Sequence, residues 1–314
     1  MGIIRFIKNW TLPISMIAGV VGYFVYVNIP FLKPTYQFVN AAIGIIQPTL
    51  IFLMLFLTFC KIEPRDLHFC KWHVWLLLIQ ILSFSLLVLI HLFVPDEECR
   101  IILEGAMICL ICPTATAGAV ITAKLGGSAA NLTTYTILIN IAVAVLIPTM
   151  VPLVNPHPEL SMFSSFLLII AKVFPLLMFP LIAAILVRYL FPPLHRLLCR
   201  WTDLSFYLWA VALALAIAVT VRIIVHSEVS VFVQIMLAAV SFVACVLQFY
   251  LGKRIGSRYS DRISAGQSLG QKNTVLAIWL GYTFFSPITA VVGGFYSIWH
   301  NVINSYQLYK ARKA

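Results

Sequence analysis

The sequence predicts an all-α polytopic membrane protein of ten transmembrane helices, and three observations carry that prediction. Hydrophobic residues fill 62% of the 314 positions and charged residues only 10%, where a soluble domain carries about 25% charge; the mean hydropathy is +1.01. Apolar windows of roughly 20 residues, enough to cross a bilayer's hydrocarbon core, recur along the whole chain with short connections between them. The lysines and arginines are divided unequally between alternate connections. A water-soluble fold is excluded, leaving a single membrane domain over 1–314.

Hydropathy broken at proline, glycine and charge sets the spans at 11–28, 38–60, 73–94, 101–125, 129–153, 163–191, 203–225, 229–251, 262–284 and 288–309. With the amino terminus inside, the inner segments hold most of the cations, from Arg5, Lys8, Lys61 and Arg65 to Lys310, Arg312 and Lys313. The outer loops hold Lys33 and Arg100, with Arg222 near an outer helix end. That split is what the positive-inside rule requires of an even number of spans with both termini cytoplasmic, in an inner or plasma membrane. The net charge of +11 therefore reports topology, and without a basic run or aromatic-interleaved patch no nucleic-acid partner is expected. Arg5 and Lys8 before an apolar stretch resemble a signal peptide, but no small-residue cleavage site follows in 26–34, so the segment reads as a retained first helix. Of the seven cysteines only Cys99 faces outside; no intrachain disulfide is expected, and the thiols read as small apolar packing groups.

Ten spans divide into two sets of five, 1–157 and 158–314. Because five is odd, the second set enters the membrane in the opposite orientation, which makes related halves inverted repeats. Each half has a broken fourth helix: ICPTATAGA at 111–119 and SLGQKNT at 268–274. Paired interruptions point to a midplane binding site, on the expectation that unwound backbone in a membrane lines a cavity. In the first, Pro113 removes a backbone donor and the small residues Thr114 to Gly118 let the chain leave helical geometry; taken alone, a proline kink packed by small residues explains it equally well. The second crowds Gly266, Gln267, Ser268, Gly270, Gln271, Lys272, Asn273 and Thr274 into the middle of a span. Lys272 is the sharpest signal: a lysine at that depth costs a few kcal/mol, so it has a partner or a cavity. It lies too far from either end of its span to snorkel to the interface.

Several motifs now agree. The run LIFLMLFLTFCKIEPRDL at 50–67, Gln80 in the third span, Cys112 and Pro113 opening the first break, Gly270 and Asn273 in the second, and Trp299, His300 and Asn301 in the last span together resemble the bile acid:sodium symporter family along nearly the whole chain. The resemblance implies a six-helix core from spans 3–5 and 8–10 and a four-helix panel from spans 1, 2, 6 and 7, with the broken helices 4 and 9 crossing inside the core. It implies a secondary transporter working by alternating access, two sodium ions at the crossing, and a small organic anion in the cleft between core and panel. On this reading Thr114, Thr116, His300 and Asn301 face the substrate.

The departures from the family pattern fall on the implied sodium ligands. The serine and asparagine of its CPGGxxSN break are Gly118 and Ala119 here, and the glutamate and glutamine of its ExGxQN break are Ser268 and Lys272. Gln80, Thr136, Gln271 and Asn273 complete the crossing. No acidic residue is expected deep in any span, so neither sodium site is expected to survive, and no other cofactor or metal is implied. The Lys272 ammonium can supply the missing positive charge. Proton coupling, uncoupled facilitation and a permanently charged lysine that staples the helices all remain open, as does a sodium-coupled symporter. His91, His226 and Lys172 are expected near span ends in interfacial roles. Among other classes, no HExxH zinc motif, paired aspartates or GxSxG elbow marks an enzyme, while a membrane sensor would not require a lysine between two broken helices.

Overall fold

Helix α3 (Lys71–Phe93) shows how the chain sorts its side chains. Trp72, Leu76, Gln80, Phe84, Val88 and His91 are buried along one face, while Leu82, Leu86, Leu89 and Phe93 stand exposed on the other. Both stripes follow the helical repeat of about 3.6 residues. Polarity is the reverse of a soluble helix, because Gln80 and His91 point inward and the outer face is apolar. Lipid tails are the surroundings that suit such a surface, and buried polar groups then find their partners on neighbouring helices.

The computed structural model describes residues 11–156, 159–201 and 204–313. Arg5 and Lys8, and the expected repeat boundary at 157/158, lie outside them. The described residues form thirteen α-helices and three 3-10 turns, with no strand among them. Around α3 come α1 (Thr11–Asn28), α2 (Tyr36–Cys60), α4 (Glu97–Ile111), α5 (Gly118–Lys124), α6 (Ala129–Val154) and α7 (Met162–Leu190). Then follow α8 (Pro192–Arg200), α9 (Leu204–Val225), α10 (Val231–Ser257), α11 (Arg262–Gly270), α12 (Thr274–Phe284) and α13 (Val291–Lys313).

Six stretches are long and apolar enough to cross a membrane: Pro30–Cys60, Lys71–Phe93, Ala129–Val154, Met162–Leu190, Tyr207–Val225 and Val231–Ser257. The shortest of them, 19 residues, rises about 28 Å, close to the ~30 Å of a hydrocarbon core. The protein is therefore a helical one suited to a membrane interior. The other four expected spans have different forms for physical reasons. The first is the 18-residue α1; spans 101–125 and 262–284 are each two helical pieces; and α13 carries Ser297, His300, Asn301, Asn304 and Gln307, which lower its hydropathy.

Helix α9 packs on α1 and α2, and α7 packs on α2 and α6. Helices α3 to α6 pack among themselves, as do α10 to α13, and the two sets meet where α4 lies on α10 and α11 lies on α6. Helix α10 approaches α11 closely. A Cβ at Gly252 would stand 2.5 Å from Ala265 O, and one at Gly256 would stand 2.5 Å from Asp261 O. These two glycines, four residues apart, are the small-residue pattern that lets helix backbones touch in a membrane.

The helix ends gather in two layers. At one, His195 Nε2 lies 2.8 Å from Cys60 O, Arg188 reaches Cys60 O and Ile62 O, and Trp72 and Asn131 donate to Asp261 at 3.2 and 2.8 Å. At the other, Arg222 meets Asn40, Tyr23 meets His226, Ser230 donates to Glu98, and Asn155 donates to Phe284 O. At this second layer Asp96 caps α4, and the Cys99 amide that donates to it at 2.8 Å holds its carboxyl below the usual carboxylate range.

Candidate functional site at the helix crossing

The two expected breaks are both present and touch. Helix α4 ends at Ile111 and α5 begins at Gly118; α11 ends at Gly270 and α12 begins at Thr274. Thr114 and Lys272 form an isolated antiparallel bridge, in which Ala115 N–H donates to Gln271 O at 2.9 Å and Asn273 N–H to Pro113 O at 2.8 Å. Their side chains repeat the exchange. Thr114 Oγ1 donates to Ser268 O at 2.7 Å, and Lys272 Nζ donates to Leu110 O at 3.3 Å. Each side chain thus meets the carbonyl four residues before its partner, so the crossing has a local two-fold relation. The second break is narrower than its sequence suggested, because Ser268 to Gly270 finish α11 rather than leaving it.

The C-terminal end of α4 explains why these residue types are gathered here. A helix leaves its last carbonyls without intrahelical partners and its carboxyl end partly negative. Gln248 Nε2 donates to Cys109 O at 3.1 Å, Lys272 Nζ to Leu110 O, and Gln80 Nε2 to Ile111 O and Cys112 O at 3.0 Å each. Gln80 is itself held by Tyr135, whose hydroxyl donates to Gln80 Oε1 at 2.8 Å. One lysine amine and two amides therefore complete a helix end in mid-bundle, all three side chains buried. Lys272 is 1% exposed, with no carboxylate among the described residues in salt-bridge reach. The matching end of α11 is completed without charge, by Thr114 on Ser268 O and by Tyr296, whose hydroxyl donates to Gly270 O at 2.8 Å. Gly270 is required there because a Cβ would fall 2.4 Å from the Phe249 ring.

The remaining site residues divide into those at the crossing and those beside it. Asn273 Oδ1 caps α12 by accepting Leu276 N–H at 3.2 Å. Ser268 Oγ and Gln271 Oε1 are buried with no hydrogen-bond partner among the described residues. Gly118 is buried and its amide donates to Ala115 O; Ala119 is partly exposed. Thr136 is buried, but its hydroxyl bonds to Leu132 O on its own helix. Of the four expected substrate residues, Thr114 is committed to the crossing, whereas Thr116 and Asn301 are partly exposed. Asn301 Nδ2 donates to Ser297 O at 2.6 Å. His300 is buried, its Nδ1 having no partner among the described residues and its ring edge-on to Tyr296. Gln267 bridges α11 to α13 by donating to Asn304 Oδ1 at 3.0 Å.

Two sequence expectations need correction. Glu104, expected to leave the spans without a deep acid, is buried, with Oε2 accepting Ser286 N–H at 2.9 Å. His91, expected at the interface, is buried beside it, Nε2 lying 3.6 Å from Glu104 Oε1. Helical phase brings them together across α3 and α4, a relation that hydropathy cannot register. Cys109 and Cys112 have two residues between them, the CxxC spacing of redox and zinc sites, yet both are free, and Cys112 Sγ donates to Asn273 O at 2.9 Å. No group of three metal-ligating side chains occurs among the described residues. A cavity of about 530 Å³ opens away from the crossing, between Lys71, Trp72, Gly126, Ser128, Asn131 and Asp261. No model of a known protein family matches the chain, and no curated protein matches it.

Proposed function

We propose that the chain is a secondary transporter of a small organic anion, resembling the bile acid:sodium symporters, in which Lys272 stands where those proteins bind sodium. Its ten spans form two inverted five-helix repeats in an inner or plasma membrane with both termini cytoplasmic. The packing of α1, α2, α7 and α9 on one another, and the interlocking of α3 to α6 with α10 to α13, support a panel and a core. The two-fold exchange between Thr114 and Lys272 supports the inverted repeat. The layer that holds Lys61, Arg188 and His195 is the cytoplasmic one on this reading.

The observation that carries the proposal is the buried Lys272 Nζ donating to the carboxyl end of α4, with no carboxylate among the described residues in salt-bridge reach; we read it as an ammonium. A fixed cation at the end of a broken helix satisfies the same partial charge that a bound metal cation would, and it needs no ion gradient to be present. Transport then follows from the core moving against the panel, with the crossing kept intact by its own lysine. Proteoliposomes given radiolabelled bile acid or pantoate test this directly. Saturable uptake above that of empty vesicles, unchanged when sodium replaces potassium at constant ionic strength, is expected. Absence of uptake for every organic anion tried would reject the transporter reading, and a steep rise with sodium would reject the role given to Lys272.

A further inference from the structure

Among the described residues, Glu104 is the one buried acidic side chain. It stands two helical turns into α4, with Gly105 beside it pressed between Leu237 of α10 and Val292 of α13, which a Cβ would meet at 2.5 and 2.9 Å. One carboxylate oxygen accepts the Ser286 amide at 2.9 Å; the other faces His91 Nε2 at 3.6 Å, with the two side chains 6% and 4% exposed. That imidazole nitrogen has no hydrogen-bond partner among the described residues. A carboxylate and a neutral imidazole so placed leave a negative charge in an apolar surrounding, which is costly. One proton shared between them removes the net charge.

We propose that His91 and Glu104 form a proton-binding site at the end of the bundle opposite the Arg188 and His195 layer, holding one proton between imidazole and carboxylate. The proton comes from the adjacent aqueous phase and returns to it, and no other bond is made or broken. Arg100, one turn earlier on α4, is the charged group facing the pair. What α10 and α13 bring is Leu237 and Val292, and the turn Pro287–Ala290 brings Ser286. Glu98 at the helix mouth is held by Ser230, and Lys172 of α7 lies over the Phe284 ring at the end of α12.

Occupancy has a structural consequence through Ser286, because the turn that follows it joins α12 to α13. An uncompensated carboxylate accepts that amide strongly, whereas a carboxyl that shares a proton accepts it less strongly. Proton uptake therefore loosens the tie between α4 and the α12–α13 connection. Any effect on transport rests on the function proposed above, so the test uses no substrate.

Infrared difference spectra of the protein in lipid nanodiscs, taken between about pH 8 and about pH 5, read the site directly. A carboxyl or imidazolium signal equivalent to one proton per chain is expected in the wild type and absent in Glu104→Gln. In His91→Gln the midpoint of the remaining carboxyl signal should move by about tenfold in proton concentration or more. Amide exchange over 284–290, corrected for the intrinsic chemical rate, should rise on acidification in the wild type and lose its pH dependence in Glu104→Gln. Spectra of Glu104→Gln identical to those of the wild type would overturn the proposal. Should that variant fail to fold, an unmoved midpoint in His91→Gln would overturn it equally.

Discussion

Replacing Lys272 with methionine keeps most of the side-chain length and removes the charge from the end of α4. The lost interaction is one charge-assisted hydrogen bond to Leu110 O, of 3.3 Å, worth about 1.5–3 kcal/mol. It includes the attraction of a cation for the helix carboxyl end, up to ~2 kcal/mol where partly buried. Against this, the variant no longer holds an ammonium out of water, and replacing a buried charge by an apolar group of similar volume is often neutral or stabilising. The two terms act on different observables. Thermal stability in detergent should stay level or rise, because the desolvation penalty disappears from the folded state. Transport should fall, because the crossing loses the tie that keeps α4 and α11 moving together. If about 2–3 kcal/mol of that tie is needed at the rate-limiting conformation, the loss is roughly 30- to 150-fold in rate. Uptake of a labelled organic anion by reconstituted Lys272→Met, alongside its melting temperature, measures both. A wild-type rate would refute the argument, as would a parallel collapse of stability and rate, since the lysine would then be a structural staple.

Three further outcomes follow from the same geometry. Gln80→Leu strands Ile111 O, Cys112 O and the Tyr135 hydroxyl, each buried unsatisfied group costing about 1–3 kcal/mol, so the melting temperature should drop well below that of Lys272→Met. Gly270→Ala forces a methyl to 2.4 Å from the Phe249 ring, an overpacking of about 1–3 kcal/mol; Gly118→Ser, whose Cβ would find Leu132 at an ordinary 3.4 Å, should melt like the wild type. Asp96 has its carboxyl held low by the Cys99 amide, so its capping contribution is complete above the ordinary aspartate value and is lost as pH falls through the depressed one. Amide exchange at 97–100 should rise in that acidic window, and Asp96→Ala should show the raised exchange at neutral pH.

The breaks at Pro113 and around Lys272 were legible in the sequence because their causes are local. Proline removes a hydrogen bond wherever it sits, and a lysine in the middle of a 20-residue apolar window is costly whichever helix lies beside it. The six long apolar helices were legible for the same reason, since the length needed to cross hydrocarbon is set by the rise per residue. What completes each helix end was not legible. That Gln248, Lys272 and Gln80 take successive carbonyls of α4, and that Thr114 returns the contact on α11, depends on helices distant in sequence crossing at one point. Glu104 shows the limit most plainly. It lies near the start of an expected span, and the phase of α4 turns it onto His91 and Ser286. Hydropathy sums over a window and discards phase, so only the packing of α3, α4 and the 287–290 turn could decide that this carboxylate is buried.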